Sequence, residues 1–317
     1  MIERILLTED MEVSRVCLGS WQVKGFVSSN EKLFLACVEN ALDSGINFFD
    51  TAEAYSKGLA EQLIGRALKD KREKAVIATK FSHNHAEPRL IRKSLETSLK
   101  RLNTDYIDLY QYHWPSPNIP LEESIAEMQK LKSEGKIRAI GVSNWMQPEW
   151  EEVTDISEII SVQNSHSLLW RRSEKYVLPL CVSKNLGLLA YSPIFQGILT
   201  KEEFAEKNLP DDYRKQLIYA KDEYKNEIQK CLTAIGKIAQ KYEKTRSQVA
   251  LRWVLDTPGV KVAIVGMTKL SQLSDNLGAM AWKLTDEDYK FLSDSSPSFA
   301  FNGNPHDTLW GWHSRKR

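Results

Sequence analysis

The sequence predicts a (β/α)8 TIM barrel with a short N-terminal hairpin and an extended C-terminal tail, residues 1–317 forming one such domain. Three observations carry that expectation. Eight short β-rich runs alternate with amphipathic stretches, the rhythm that a parallel sheet with crossover helices requires. The eight pairs fill about 280 residues with no Pro- or Ser-rich linker, which favours one closed barrel over two doubly wound halves. Ionisable residues close three neighbouring strands, the edge where barrel enzymes collect their chemistry.

Taken in order, RILLTEDMEV (4–13) reads as a hairpin with Glu9 and Asp10 at its turn, placed to cap the barrel floor. The barrel strands follow as VCLGSW (16–21), INFFDT (46–51), AVIATKF (75–81), YIDLYQYH (106–113), KIRAIGVSN (136–144), IISVQNS (159–165), LGLLAYSP (186–193) and VAIVGM (262–267). Between them the helical period is plain in Leu59, Leu63, Ile64, Ala67 and Leu68, and again in Leu90, Ile91, Leu95, Leu99 and Leu102. KDKREK (69–74) reads as a charged helix end and loop. The segment from Thr200 to Asn226 is longer than a barrel connection needs and strongly charged, which suggests a lid. From about Lys283 the chain is helical, then becomes a tail rich in Gly, Pro and aromatic residues.

Charge and composition exclude several partners. Forty-three Lys and Arg balance forty-two Asp and Glu for a net charge of +1, so no overall field favours nucleic acid or an anionic membrane. No apolar run is long enough to span a bilayer, and the acidic N-terminus is unlike a signal peptide, so the expected location is cytoplasmic. Cys17, Cys37, Cys181 and Cys231 are scattered and read as buried reduced thiols, with no metal site expected. His83 and His85 form H-x-H without a third ligand at suitable spacing and read as a solvated or substrate-facing loop. Oligomeric state is left open.

The chemistry follows from strand parity. Asp50 shares a face with Phe48 and Ile46, Lys80 with Ala78 and Val76, and His113 with Gln111, Leu109 and Ile107, so all three are expected to point into the barrel mouth. Tyr55 lies on the loop between. A phenol is a weak acid with an ordinary pKa of about 10; a neighbouring Lys80 ammonium is expected to lower it, and Asp50 to keep Lys80 charged. His113 is then placed to hydrogen-bond a carbonyl oxygen. Trp21, Trp114 and Trp145 each follow a strand end and are expected to wall an apolar pocket with Tyr55 and His113. Trp253 and Trp282 read as packing, and Trp310 and Trp312 as candidates to cover the site. A carboxylate-pair hydrolase using Asp50 and Glu53 is the competing chemistry, but it leaves Lys80, Tyr55 and Tyr191 without a role.

The ordered set D-T-A-x-x-Y (Asp50, Thr51, Ala52, Tyr55), T-K (Thr79, Lys80) and Y-x-x-H (Tyr110, His113) resembles the aldo-keto reductases, which reduce aldehydes and ketones with a nicotinamide cofactor on this barrel. GLAEQLIGRAL, GKIRAIGVSN, VQNSHSLLWR, AYSPIFQGILT and SDNLGAM continue the resemblance over about residues 16–281. It implies that Tyr55 is the general acid, tuned by Lys80 and Asp50, with His113 orienting a small-molecule carbonyl substrate. It implies cofactor contacts at Gly19, Ser20, Trp21 and Asp50, at Ser143, Asn144 and Gln163 for the nicotinamide carboxamide, and at Tyr191 for ring stacking. Ser192, Ile194 and Gly197 would approach the pyrophosphate, and Gly266, Thr268, Lys269, Gln272 and Asn276 the adenosine end. Relatives often carry arginines after the eighth strand where this chain has Lys269, so the expected cofactor is NADPH with weaker discrimination against NADH. His166 stands where a Tyr is common, and no mechanism attaches to it. No G-x-G-x-x-G is present, so a Rossmann dehydrogenase is not supported. The same fold and tetrad also occur in cytoplasmic regulatory subunits of potassium channels; the absence of an extra N-terminal arm lowers that reading.

Overall fold

The computed structural model describes residues 2–23, 31–302, 308–311 and 313–315. A hairpin of β1 (Arg4–Thr8) and β2 (Met11–Ser14) precedes eight parallel strands: β3 (Val16–Gly19), β4 (Phe48–Asp50), β5 (Val76–Phe81), β6 (Ile107–Tyr112), β7 (Ile137–Ser143), β8 (Ile159–Ser165), β9 (Gly187–Tyr191) and β10 (Val260–Gly266). These eight close into a barrel, β10 pairing with β3 through Gly266 and Gly19. The expected (β/α)8 architecture and its hairpin are therefore present. The helices are α1 (Glu31–Asp43), α2 (Leu59–Ala67), α3 (Pro88–Leu102), α4 (Leu121–Ser133), α5 (Gln147–Glu152), α6 (Val177–Lys184), α7 (Lys225–Tyr242), α8 (Arg246–Asp256), α9 (Ser271–Leu277) and α10 (Asp286–Asp294).

Parallel strands are covered on both faces, which is why each reads as an apolar run. The inner layer is Cys17, Phe48, Val76, Ala78, Leu109, Ala139, Leu189, Val262 and Ile264, closed from below by Leu7, Met11 and Val13 of the hairpin. Arg138 pins that hairpin to the barrel through Asp10 at 3.0 Å. Ile46 and Ile107, assigned to the inner face by parity, pack instead in the outer layer between sheet and helices. Both lie where the chain enters the barrel, Ile46 ahead of β4 and Ile107 at the first position of β6. Trp253 is buried and stacks on Tyr289 at 5.6 Å, whereas Trp282 is half-buried against Tyr242.

Helices α2 and α3 meet where Gly65 allows backbone contact: a Cβ there would lie 2.5 Å from the carbonyl oxygen of Leu102. Backbone cannot yield as a flexible side chain can, so Gly65→Ala is expected to cost about 1–3 kcal/mol, read as a lowered melting temperature. An unchanged melting temperature would contradict the close approach.

Among the described residues, no helix is long and apolar enough to cross a membrane, and no group of three His, Cys, Asp or Glu is arranged to hold a metal ion. All four cysteines are free and buried.

Candidate active site

Above the apolar inner layer the barrel interior turns polar. Asp50, Lys80, Gln111 and Gln163 are at most 3 % exposed and come from β4, β5, β6 and β8. Burial of this kind is costly unless every polar group finds a partner, and here the partners converge. Lys80 Nζ donates to Asp50 Oδ1 at 2.7 Å, to the Thr51 carbonyl at 2.7 Å and to the Tyr55 hydroxyl at 3.3 Å. Asp50 Oδ2 accepts from Gln163 Nε2 at 2.7 Å and Gln111 Nε2 at 3.3 Å. Tyr55 precedes a tight reversal in which Ser56, Lys57 and Gly58 have φ of 50°, 57° and 87°, so the loop turns back into α2 and leaves the phenol at the barrel mouth. The His113 ring meets Tyr55 edge to face, centroids 5.6 Å apart.

The electrostatics correct one expectation. Burial, with a contribution from Asp50, pushes the Tyr55 phenol well above its ordinary pKa rather than toward neutrality. Desolvation outweighs the neighbouring cation because the phenolate would give up part of its water where the ring packs into the barrel mouth. Lys80 is itself drawn below its usual range by burial, opposed by Asp50. His113 is held well below the ordinary histidine range by burial, then by Lys80 and His83, so its ring is neutral near pH 7. The resting site thus contains a protonated phenol beside a lysine and a neutral imidazole.

These groups open onto a cavity of about 510 Å³, within the range of small-molecule sites. Tyr55, His113, Trp21 and Trp114 line it, as does Trp310 of the tail; Trp312 lies outside the described residues. Trp21 packs against Tyr213 at 4.6 Å and Trp310 at 5.2 Å. Trp145 does not wall the cavity. It is fully buried against Trp150 and Tyr112, because Asn144 at φ 60° breaks the strand's alternation and turns the next side chain into the outer core.

Ser143, Asn144, Gln163 and Tyr191 form the middle of the cavity wall. Asn144 Nδ2 donates to the His113 carbonyl at 2.9 Å, and Asn144 Oδ1 accepts from the Tyr191 hydroxyl at 2.9 Å. Gly19, Ser20, Ser192, Ile194, Gly197, Gly266, Thr268 and Gln272 line the remainder. Gly197 has φ 93° and nothing within 4 Å of the place a Cβ would occupy, so the backbone is open to close approach. Gln272 Oε1 accepts from the Thr268 and Lys269 N–H groups at 2.7 and 3.1 Å, shaping the turn after β10. Two assigned contacts lie off the wall: Lys269 is exposed, and Asn276 is on the buried side of α9.

The structure also brings to the cavity a cation that the sequence did not mark. Arg214, in the long segment 200–226, lines the cavity with Tyr213 and is held by Asp212 at 2.5 Å. Length and charge marked that segment, and nothing in the sequence separates Arg214 from its solvated neighbours. Gln22 was missed as well; its Nε2 donates to the carbonyls of Gly19 and Met267 at 2.9 and 3.2 Å, tying together the ends of β3 and β10. Glu53 accepts from the Ser82 N–H at 2.7 Å, lies 2.8 Å from His85 Nδ1 and is absent from the cavity wall, so Asp50 has no carboxylate partner there for hydrolysis. The H-x-H pair forms a short 3-10 turn, His85 lying 3.1 Å from Ser94 Oγ. His166 is fully buried, stacked on Trp253 at 5.1 Å and neutral, its pKa pushed down to about 3 by burial.

Fold and site together define a barrel oxidoreductase. The model of the aldo/keto reductase family matches residues 15–296, and the chain belongs to that family. It is 36 % identical over 298 residues to the aldo-keto reductase YhdN of Bacillus subtilis (strain 168), covering 89 % of this chain and 90 % of that one. It is 31 % identical to the NADH-specific methylglyoxal reductase of Escherichia coli (strain K12), covering 89 % and 94 %. An aldo-keto reductase from Klebsiella pneumoniae, solved with NADPH, superposes with a TM-score of 0.77 at 29 % identity over 94 % of this chain and 96 % of that one.

Proposed function

We propose that the chain reduces a small aldehyde or ketone to the alcohol with NADPH, Tyr55 supplying the proton, and runs the reverse oxidation when alcohol and NADP+ prevail. The observation that carries this reading is the hydroxyl of half-buried Tyr55, kept protonated and 3.3 Å from Lys80 Nζ, at a cavity also lined by Asn144, Gln163 and Tyr191.

The residues present fit a dinucleotide. The Tyr191 ring offers a flat, half-buried face at a strand end, Ser20 Oγ is buried on the wall with no protein partner, and Gly197 leaves its backbone open. Ser143, Asn144 and Gln163 would meet the carboxamide, Ser192 and Ile194 the pyrophosphate, with Arg214 reaching from the lid. Lys269 would meet a 2'-phosphate as a single ammonium without the two-pronged fit of Arg, so NADH is accepted to a degree. When bound, the cofactor supplies the hydride that converts the carbonyl carbon to the alcohol carbon.

The chain's own groups handle the charge that follows. As the carbonyl oxygen becomes negative, Tyr55 O–H gives it the proton and the phenol becomes phenolate beside Lys80. In the resting state the phenol is neutral and draws little from that ammonium. The attraction appears as charge develops, which is the condition for lowering a barrier rather than merely binding substrate. Asp50 and the Thr51 carbonyl hold the ammonium in place. Neutral His113 offers an N–H to the same oxygen, and Trp21 and Trp114 give the substrate an apolar wall. A cytoplasmic setting suits four free, buried thiols.

Nicotinamide absorbance, followed with a panel of small aldehydes and ketones, tests the reading. NADPH is expected to be consumed in step with alcohol formed; a chain that binds NADPH yet turns over none of the panel would contradict it.

A further inference from the structure

The described end of the tail reaches behind the nicotinamide-side wall. His313 is 5 % exposed, and its ring meets the edge of Trp114 with centroids 5.2 Å apart. Its Nδ1 accepts from the Arg315 N–H at 3.0 Å, which assigns the ring proton to Nε2, and Nε2–H donates to the Asn144 carbonyl at 3.2 Å. The neighbours anchor this segment. Ser314 Oγ donates to the Pro115 carbonyl at 2.6 Å, Arg315 Nε to the Ser116 carbonyl at 2.8 Å and Arg315 Nη1 to Glu152 Oε2 at 2.5 Å. The tail therefore ties the loop after β6 to the loop after β7.

Asn144 is where this matters. It sits at φ 60°, in the left-handed region that asparagine enters more readily than most non-glycine residues, and the contacts around it hold it there. The barrel holds its N–H through the Gln163 carbonyl at 3.0 Å and its side-chain amide through His113, Ser143 and Tyr191. Among the described residues, the hydrogen bond to its carbonyl comes from His313. The small cavity bounded by Asn144, Tyr191, Thr308 and His313 measures about 20 Å³, room for about one water and not for a ligand, so no second binding site explains the contact.

We propose that His313 is a positioning residue for the nicotinamide half of the cofactor site. By holding the Asn144 peptide it fixes the amide that meets the carboxamide and the tyrosine on which the ring stacks. His313, which is not on the cavity wall, thereby strengthens cofactor binding through Asn144. This rests on the nicotinamide reading above.

Calorimetric titration of the full chain with two probes tests it: NADPH, and 2'-phosphoadenosine diphosphoribose, which is NADPH without the nicotinamide. His313→Ala is expected to weaken NADPH about fivefold, the scale of one hydrogen bond, and to leave the ringless probe unchanged. His313→Gln, whose amide N–H can reach the same carbonyl, is expected to restore most of the loss. Equal weakening of both probes, no change in either, or a selective loss that Gln does not restore would overturn the proposal. If His313→Ala does not fold, Arg315→Ala, which releases the same segment from Glu152, is read by the same criteria. A wild-type chain that binds neither probe overturns the cofactor reading, and this role with it, before any substitution is made.

Discussion

Tyr55→Phe lowers kcat for carbonyl reduction by about 100- to 10,000-fold and leaves the Kd for NADPH unchanged. The substitution removes one oxygen and keeps the ring, with its 5.6 Å edge-to-face packing on His113 and the Lys80 ammonium 4.9 Å over its centroid, so the cavity keeps its shape. What disappears is the proton that the carbonyl oxygen must receive. His113 does not replace it, because burial and Lys80 hold that ring neutral and its N–H is far less acidic than an imidazolium. Steady-state kinetics with a separate binding titration checks the prediction, and turnover within a few-fold of wild type would remove Tyr55 from the chemistry.

Lys80→Met destabilises the protein by about 3–5 kcal/mol and abolishes turnover, because it strands the Asp50 carboxylate in a site where only two amides remain to hold it. Lys80 is fully buried and Asp50 only 2 % exposed, so solvent cannot take over the lost partner. Adding Asp50→Asn removes the second charge while keeping an acceptor for Gln163. The double variant is therefore expected to recover most of the stability and none of the activity. Denaturant unfolding separates the effects. A double variant no more stable than Lys80→Met would show that charge isolation is not the cause.

The barrel was legible because its strands are buried on both faces and read as apolar runs, and because Asp50, Lys80 and His113 interrupt those runs where they leave the core. Period-two alternation then put the groups on one face, and it failed at two strand entries and after a left-handed residue. Ile46 and Ile107 lie at strand entries, and Trp145 follows the left-handed Asn144. The direction of the Tyr55 pKa was not legible, since sequence supplies neighbours and not the water they exclude. Arg214 and His313 were hidden for another reason: irregular segments have no period, so nothing in their spacing says what they dock against. Arg72 shows the same limit inside KDKREK. It reads as a solvated charge and instead reaches buried Asp108 at 2.7 Å, over the ring of Tyr106.

The pH dependence of kcat for reduction, measured at saturating NADPH and carbonyl, tests the central claim most directly. A general acid works below its pKa and fails above it. Tyr55 is raised and His113 lowered from their ordinary values, so neither changes charge near neutrality. The rate is expected to be flat from about pH 6 to about pH 8 and to fall only on the alkaline side, where Tyr55 and Lys80 lose protons as a coupled pair. A rate that instead declines with a midpoint near about 6.5, the ordinary histidine value, would assign the proton to an imidazolium and contradict the account.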